Sequence, residues 1–107
     1  MSYAVEFSRA ARDDLDRLTV AILDRELASH TPDLSLPDKA LASIRSAVGL
    51  LAQFPFSCRK AGDGKDPFLR ELVISFGRSG FVLLFKIMPN HRIVVAAVRH
   101  QLESDFH

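Results

Sequence analysis

The hydrophobic positions along the chain switch from alternation to helical spacing and then back to alternation. Residues Tyr3 to Phe7 alternate apolar and polar, which predicts a short strand. Apolar residues then recur at intervals of three and four in two later segments, which predicts two amphipathic helices with one buried face each. The two apolar stripes are Ala11, Leu15, Leu18 and Ile22 in the first helix and Leu41, Ile44, Val48 and Leu51 in the second.

Signals at the ends of these segments set the predicted helix limits. Ser8 suits an N-cap because its hydroxyl can accept from an unpaired backbone N–H, and the first helix is expected to end near Ser29. The second helix is expected to start near Pro37, whose fixed φ suits a first turn, and to end at Phe54-Pro55. A short link between two such helices predicts an antiparallel helical hairpin.

The second half of the chain predicts a loop followed by three strands. The segment 58–67 is rich in glycine and charge and is expected to be a loop. Strands are predicted at 68–76, 81–87 and 93–98, with turns at 77–80 and at Pro89-Asn90. Consecutive strands with short turns are most simply antiparallel neighbours. The expected fold is α+β, in the order β-α-α-β-β-β, with the helical hairpin on one face of a small, mainly antiparallel sheet.

The last two predicted strands carry more apolar surface than one pair of helices can cover. Both are apolar on both faces, whereas a half-exposed antiparallel strand normally alternates. Strict alternation places five residues together on the face that we expect to be uncovered, although alternation alone does not decide which face the helices cover: Val82, Leu84, Val94, Ala96 and Val98. Such a patch predicts a partner site. The alternatives are that the C-terminal tail, Gln101 to His107, folds back over it, or that the sheet curls on itself.

Composition adds one asymmetry to this picture. The chain has 107 residues, of which 48% are hydrophobic and 25% charged, so we expect one folded domain over residues 1–107. Residues 1–53 carry six basic and eight acidic side chains, and residues 54–107 carry eight basic and five acidic ones. A basic second half predicts an acidic partner, either nucleic acid or an acidic protein segment, with a plain solvated surface as the alternative.

Several functional classes lack their sequence signals. Cys58 is the single cysteine, and no signal segment or membrane span is visible, so a cytoplasmic location is expected. No phosphate-binding loop and no zinc-binding His-Glu-x-x-His helix occur, and the four histidines have no ligand-like spacing. We therefore expect no metal and no cofactor.

Basic residues remain as the candidate functional groups. Arginine suits phosphate because its planar fork donates two parallel hydrogen bonds. A metal-free ribonuclease also needs an acid and a base near such cations, and His100 is the histidine beside a strand-borne arginine, Arg99. If the protein is a ribonuclease, its candidate catalytic residues are Lys60, Lys65, Arg78, Arg99 and His100.

Short motifs along nearly the whole chain resemble the RelE/ParE superfamily of bacterial toxins. The opening resembles the family in Tyr3-x-Val5-x-Phe7-Ser8 with Ala11 and Asp14-Leu15. The middle is similar in Phe54-Pro55, Arg59, Leu69-Arg70-Glu71-Leu72 and Gly80-Phe81-Val82-Leu83-Leu84-Phe85. The end is similar in Val98-Arg99-His100-Gln101 with Glu103 and Phe106. The resemblance implies the toxin of a type II toxin–antitoxin pair, whose antitoxin would cover the uncovered apolar face.

Two activities divide this superfamily: RelE-like members cut messenger RNA on the ribosome, and ParE-like members bind DNA gyrase without chemistry of their own. The ribonuclease members carry an arginine and tyrosines in the central strand and a basic residue after the last strand. Here those positions are occupied by Phe81, Val82, Phe85 and Gln101, with Phe106 in place of a tail tyrosine. The departures favour the ParE-like branch, with target binding expected at Arg59, Arg70, Arg78, Arg92, Arg99 and His100.

Three functions stay open at this point. A gyrase-binding toxin is the leading hypothesis, a ribosome-dependent ribonuclease is the second, and an inactive family member acting only as an interaction module is the third. The expected partners are a cognate antitoxin and gyrase, or the ribosome and mRNA in the second case. A homodimer or a hetero-oligomer with the antitoxin is also expected.

Overall fold

The computed structural model of the chain describes residues 2–77 and 79–101. Its two main helices and five strands follow the predicted order, with one additional short strand in the predicted loop. The strands are β1 Ala4–Phe7, β2 Arg59–Lys60, β3 Leu69–Phe76, β4 Ser79–Met88 and β5 Arg92–His100, and the helices are α1 Arg9–Leu27 and α2 Leu36–Leu51, with a 3₁₀ turn at Pro55–Ser57. The α+β fold is therefore confirmed.

All five strands form one sheet in the order β1-β5-β4-β3-β2. The pairs β2–β3, β3–β4 and β4–β5 are antiparallel, as predicted for consecutive strands, and β1 pairs in parallel with β5. The sheet is thus mainly antiparallel. The first and last strands of the chain lie side by side, at the edge opposite β2.

Local sequence explains where the helices begin. The Ser8 hydroxyl accepts from the backbone N–H of Ala11 at 3.1 Å, so it is the predicted N-cap of α1. This helix ends at Leu27, two residues before the predicted limit. In α2, Pro37 occupies the first turn, as expected from its fixed φ.

The apolar stripes of both helices pack on one face of the sheet. Ala11, Leu18 and Ile22 of α1 are buried against β4 and β5, where Leu83 and Val95 are fully enclosed. In α2 the buried residues are Ala40, Ile44 and Leu51, whereas the predicted Leu41 is only half-buried. The helical hairpin therefore covers one sheet face, and we call the other one the outer sheet face.

A β-bulge in β5 changes which residues reach the outer sheet face. Leu84 pairs with Ala97 and Phe85 pairs with Val95, so Ala96 is an extra residue without a partner in β4. Beyond an inserted residue the alternation of faces is shifted by one. The prediction that Val98 lies on the uncovered face is therefore wrong: Val98 is 0% exposed and belongs to the core.

Candidate protein-binding surface

The outer sheet face carries an apolar strip across β3, β4 and β5. Its members by register are Val73, Val82, Leu84, Val94 and Ala97, and the bulged Ala96 is half-buried beside them. Val73 is 37% exposed, whereas Val82 is only 5% exposed between its neighbours on β3 and β5. Leu84, Val94 and Ala97 are half-buried. The strip is thus partly accessible. Of the tail from Gln101 to His107 that was the alternative cover, residues 102–107 lie outside the described residues.

Ion pairs surround this apolar strip. They join Arg59 to Glu71 at 2.6 Å, Lys86 to Asp66 at 3.4 Å, and Arg92 to Glu6. The backbone N–H of Phe68 and then the Lys86 ammonium hold the pKa of Asp66 below its ordinary value. Exposed pairs of this kind stabilise a fold by about 0–1 kcal/mol each, so their main effect here is to neutralise the rim of the strip.

Arg99 and His100 project from opposite faces of the sheet because they are neighbours in one strand. Arg99 pairs with Val82 in the register and is exposed on the outer sheet face. His100 lies on the helix side, where its Nε2 is 2.9 Å from the Ser79 hydroxyl oxygen and its ring meets Phe81 edge-on at 6.2 Å. The two candidate residues therefore face different surroundings.

A cleft of about 350 Å³ lies beside His100. Arg25 and Glu26 from α1 line it together with Ser79 and His100. Neither α1 residue was singled out from the sequence, because only the tertiary structure brings the last turns of α1 to the end of β5. The cleft places a guanidinium, a carboxylate, a hydroxyl and an imidazole around one space.

The remaining candidates for ribonuclease chemistry lie far from this cleft. Lys60 of β2 pairs with Arg70 of β3, and Arg70 pairs with Phe85 of β4. His100 of β5 pairs with Phe81, four residues earlier in β4. Three strand spacings and four residue steps separate the backbones of Lys60 and His100 by about 20 Å. Lys65 is in the loop before β3, 3.9 Å from an Asp63 carboxylate oxygen. Arg78 lies outside the described residues. The described part of the predicted set is not brought together.

Arg70 holds the segment around the 3₁₀ turn against β3. Its Nε donates to the Pro67 carbonyl at 2.8 Å, and its Nη1 donates to the carbonyls of Phe56 at 3.2 Å and Cys58 at 2.8 Å. The guanidinium also lies over the Phe56 ring at 5.5 Å. Burial raises the pKa of the nearby Cys58 thiol, and the Arg70 charge opposes this in part. These contacts give Arg70 a structural role, separate from its predicted role in target binding.

Several large apolar side chains are more exposed than the strip on the outer sheet face. One group lies at the end of α2 and around the 3₁₀ turn: Leu50, Phe54, Phe56 and Phe68. Another lies on α1 and consists of Val20 and Leu27. The sequence signal for the first group was the presence of aromatic residues beside prolines, in Phe54-Pro55-Phe56 and Pro67-Phe68. Those segments lack strand or helix periodicity, so their aromatics have no expected core position.

In the part of the chain that the structure describes, no helix has both the length and the apolar character needed to cross a bilayer. Within the same residues, no three His, Cys, Asp or Glu side chains are grouped in a way that could hold a metal ion.

The fold and this surface define a small two-helix, five-strand protein of a class found among bacterial toxins. The family model described as the ParE toxin of the type II toxin–antitoxin system parDE matches residues 5–104. Toxin RelE3 from Caulobacter vibrioides is 36% identical over 100 residues, covering 94% of this chain and 96% of that protein. The chain belongs to the ParE toxin family of type II toxin–antitoxin systems, within the RelE/ParE superfamily.

Solved structures agree with this fold. A chain of the chromosomal ParDE system from P. aeruginosa superposes with a TM-score of 0.62 at 22% identity, covering 92% of this chain and 96% of that one. A mutant of the E. coli toxin RelE in the free state gives a TM-score of 0.60 at 13% identity, covering 98% and 90%. Both branches of the superfamily therefore share this architecture.

Proposed function

We propose that this toxin acts in the cytoplasm by binding DNA gyrase, without chemistry of its own, and that a cognate antitoxin neutralises it. The observation that supports this most is the distribution of its basic groups. A metal-free ribonuclease needs cations and an acid/base pair around one phosphate. Here Lys60 lies about 20 Å from His100 by strand spacing, and Arg99 faces away from it.

The antitoxin would cover the outer sheet face. Val73, Leu84, Val94 and Ala97 offer an apolar strip there, with a rim of paired charges that leaves little net charge to desolvate. Partly exposed apolar strips of this kind are typical of partner sites. A cognate antitoxin in a hetero-oligomer is the partner that we propose for this face.

Arg99 is the residue that we propose for contact with gyrase. Arg59 and Arg92 are engaged by carboxylates and Arg70 by carbonyls, whereas Arg99 is exposed with no ion pair among residues 2–77 and 79–101. Because Arg99 lies on the outer sheet face, an antitoxin on that face would cover it. Neutralisation would then be direct competition for one surface.

Ribosome-dependent cleavage of mRNA is the second candidate, and the cleft beside His100 favours it. There an imidazole lies 2.9 Å from the Ser79 hydroxyl in a cleft that Arg25 also lines. A histidine at this place could transfer a proton while the arginine holds a phosphate. In this case His100, rather than Arg99, would carry the toxicity.

Induction without the antitoxin separates these candidates. We expect reduced plasmid supercoiling, intact translated mRNA and inhibition of purified gyrase by the chain. Arg99→Ala should weaken this inhibition about tenfold or more, as for a central arginine contact. His100→Ala should retain the inhibition of gyrase. So should Arg45→Ala, which removes an exposed arginine of α2.

Cleavage of translated mRNA that depends on His100 would favour the ribonuclease instead. Normal growth with abundant soluble protein would favour the inactive interaction module.

A further inference from the structure

An aromatic cleft opens at the end of the sheet, between the 3₁₀ turn and the turn that joins β4 to β5. It has a volume of about 470 Å³. The residues that line it and that matter here are Tyr3, Phe56, Phe68, Lys86, Met88 and His91. This aromatic cleft lies at the opposite end of β4 from Ser79 and His100, so it is separate from the cleft beside His100.

The walls of the aromatic cleft are rings arranged for contact with another ring. Phe56 and Phe68 meet edge-on with their centroids 6.2 Å apart, and each is 48% exposed. Across the cleft, Tyr3 and His91 lie 5.1 Å apart at an angle of 43°. Aromatic rings prefer such edge-on and tilted neighbours, and large side chains bury most of their surface in sites of this kind. A partner's aromatic or large aliphatic side chain fits this geometry.

Backbone contacts hold these walls in place before any partner binds. Arg70 ties the carbonyl of Phe56 to β3 at 3.2 Å. The His91 carbonyl accepts from the N–H of Ala4 at 2.8 Å. Asn90 and His91 have φ values of 63° and 56°, a left-handed conformation that non-glycine residues adopt rarely. A cleft whose walls are already fixed costs less conformational entropy on binding.

The charged side chains around the aromatic cleft are mainly basic, which favours a partner of opposite charge. Lys86 lines it and is paired with Asp66. Arg70 and its strand partner Lys60 lie beside the 3₁₀ turn, and within residues 2–77 and 79–101 neither has a carboxylate partner. No carboxylate lines the cleft among the described residues. The surroundings are therefore positive and complement a negatively charged segment.

We infer that the aromatic cleft binds an acidic peptide segment of a protein partner, which inserts one large apolar side chain between Phe56 and Phe68. A volume of 470 Å³ is within the range of sites that enclose a drug-sized group. Carboxylates on either side of the inserted residue reach the ammonium groups of Lys86, which lines the cleft, and of Lys60. The site does not depend on whether gyrase is the target.

A tryptophan-bearing peptide gives a direct test, because the chain itself contains no tryptophan. The probe is a six-residue peptide with one central tryptophan flanked by aspartate and glutamate, titrated with the full chain. We expect a blue shift of tryptophan emission and a rise in anisotropy, weakened by added salt. A matched peptide with lysines in place of the acidic residues should bind at least about tenfold more weakly.

Variants locate the bound peptide. Phe56→Ala and Phe68→Ala should each weaken the affinity for the acidic peptide about five- to tenfold, since a truncated anchor contact costs at least about 1 kcal/mol. Val20→Ala, which truncates an apolar residue on α1 that is at least as exposed, should leave the peptide affinity unchanged. Lys60→Glu should weaken the acidic peptide and strengthen the lysine peptide, which keeps the test decisive if an aromatic variant misfolds.

Three results would overturn the inference. Equal binding of the acidic and lysine peptides, or acidic-peptide binding that all three variants retain, would exclude the site. Sedimentation that showed self-association dependent on Phe56, with no peptide bound, would assign the cleft to a second copy of the chain. None of these results depends on toxicity, so loss of the gyrase hypothesis would leave this test intact.

Discussion

At the scale of single residues, Gly80 is the glycine with the least room for a side chain. A Cβ atom there would lie 2.0 Å from the carbonyl oxygen of Ile74 on the neighbouring strand. That oxygen belongs to the backbone of the sheet, so relief requires β3 and β4 to separate. The φ of Gly80 is not in the left-handed region, so the backbone conformation does not require glycine there. The close approach of the two strands does.

We expect Gly80→Ala to lower the free energy of unfolding by about 2 kcal/mol or more, as for other overpacked sites. Gly49 in α2 is the matched control, since nothing lies within 4 Å of a Cβ placed there. Gly49→Ala should raise stability by about 0.5–1 kcal/mol through helix propensity. Urea unfolding of both variants measures the difference. Equal effects of the two substitutions would show that the close approach to Ile74 has no energetic consequence.

Residue types were easier to predict than residue roles. The motif at 80–85 was recognisable from the sequence, and so was the excess of basic over acidic side chains in the second half of the chain. That Arg70 holds three carbonyls was not predictable, because those carbonyls come from Pro67, Phe56 and Cys58 in irregular segments. Likewise, the proximity of Arg25 to His100 depends on how α1 packs, which no local pattern encodes.

At the scale of elements, the start of α1 completes the edge of β5. Strand β1 covers β5 only as far as Val95. Beyond it, the Ser8 hydroxyl donates to the Ala96 carbonyl at 3.2 Å, and the N–H of Val98 donates to Asp14 Oδ2 at 2.9 Å. Asp14 also accepts from Arg17 at 3.0 Å. The N-cap and the first two turns of α1 thus supply the partners that a longer β1 would have supplied.

Asp14→Ala should therefore destabilise the protein by about 1–3 kcal/mol, because it leaves a partly buried backbone N–H without its charged acceptor. Asp14→Asn keeps an oxygen acceptor and should recover part of the loss. Asp13→Ala, at an exposed neighbouring position, should change stability by less than about 0.5 kcal/mol. Thermal or urea unfolding compares the three. A loss for Asp13→Ala as large as that for Asp14→Ala would mean that general charge, and not this bond, matters.

The elements themselves were largely predictable, and their pairing was less so. Periodicity predicted both helices and four of the five strands to within a few residues, because each has a recognisable apolar pattern. Strand β2 has only two residues, Arg59 and Lys60, and no pattern can reveal it. The bulge at Ala96 was equally hidden, since a run of apolar residues in β5 is compatible with either face. Its consequence was the wrong face for Val98.

At the scale of the whole molecule, apolar surface left open on the outer sheet face predicts self-association of the free toxin. We expect the chain expressed without its antitoxin to self-associate at micromolar concentrations. Val73→Glu, which places a charge on the most exposed residue of the apolar strip, should reduce this several-fold. Sedimentation velocity measures the change.

Ser46→Glu provides the control for added charge, because Ser46 is an exposed polar residue of α2. It should leave self-association unchanged. A free chain that stays monomeric at high concentration would contradict the expectation. So would an equal response to both substitutions, since a general increase in negative charge would then explain the effect.

The pairing of β1 with β5 has a consequence for when the toxin can form. Ala4 pairs with Arg92 and Phe7 with Val95, so contacts in this ladder join residues about as distant in sequence as the chain permits. Topologies with such high contact order fold slowly, because the long loop must close before the contacts form. A chain still being translated lacks β5, and with it Ile93, Val95 and Val98 of the core. The folded toxin can therefore arise only after nearly the whole chain has been synthesised, which leaves an interval in which an antitoxin already present in the cell can meet it.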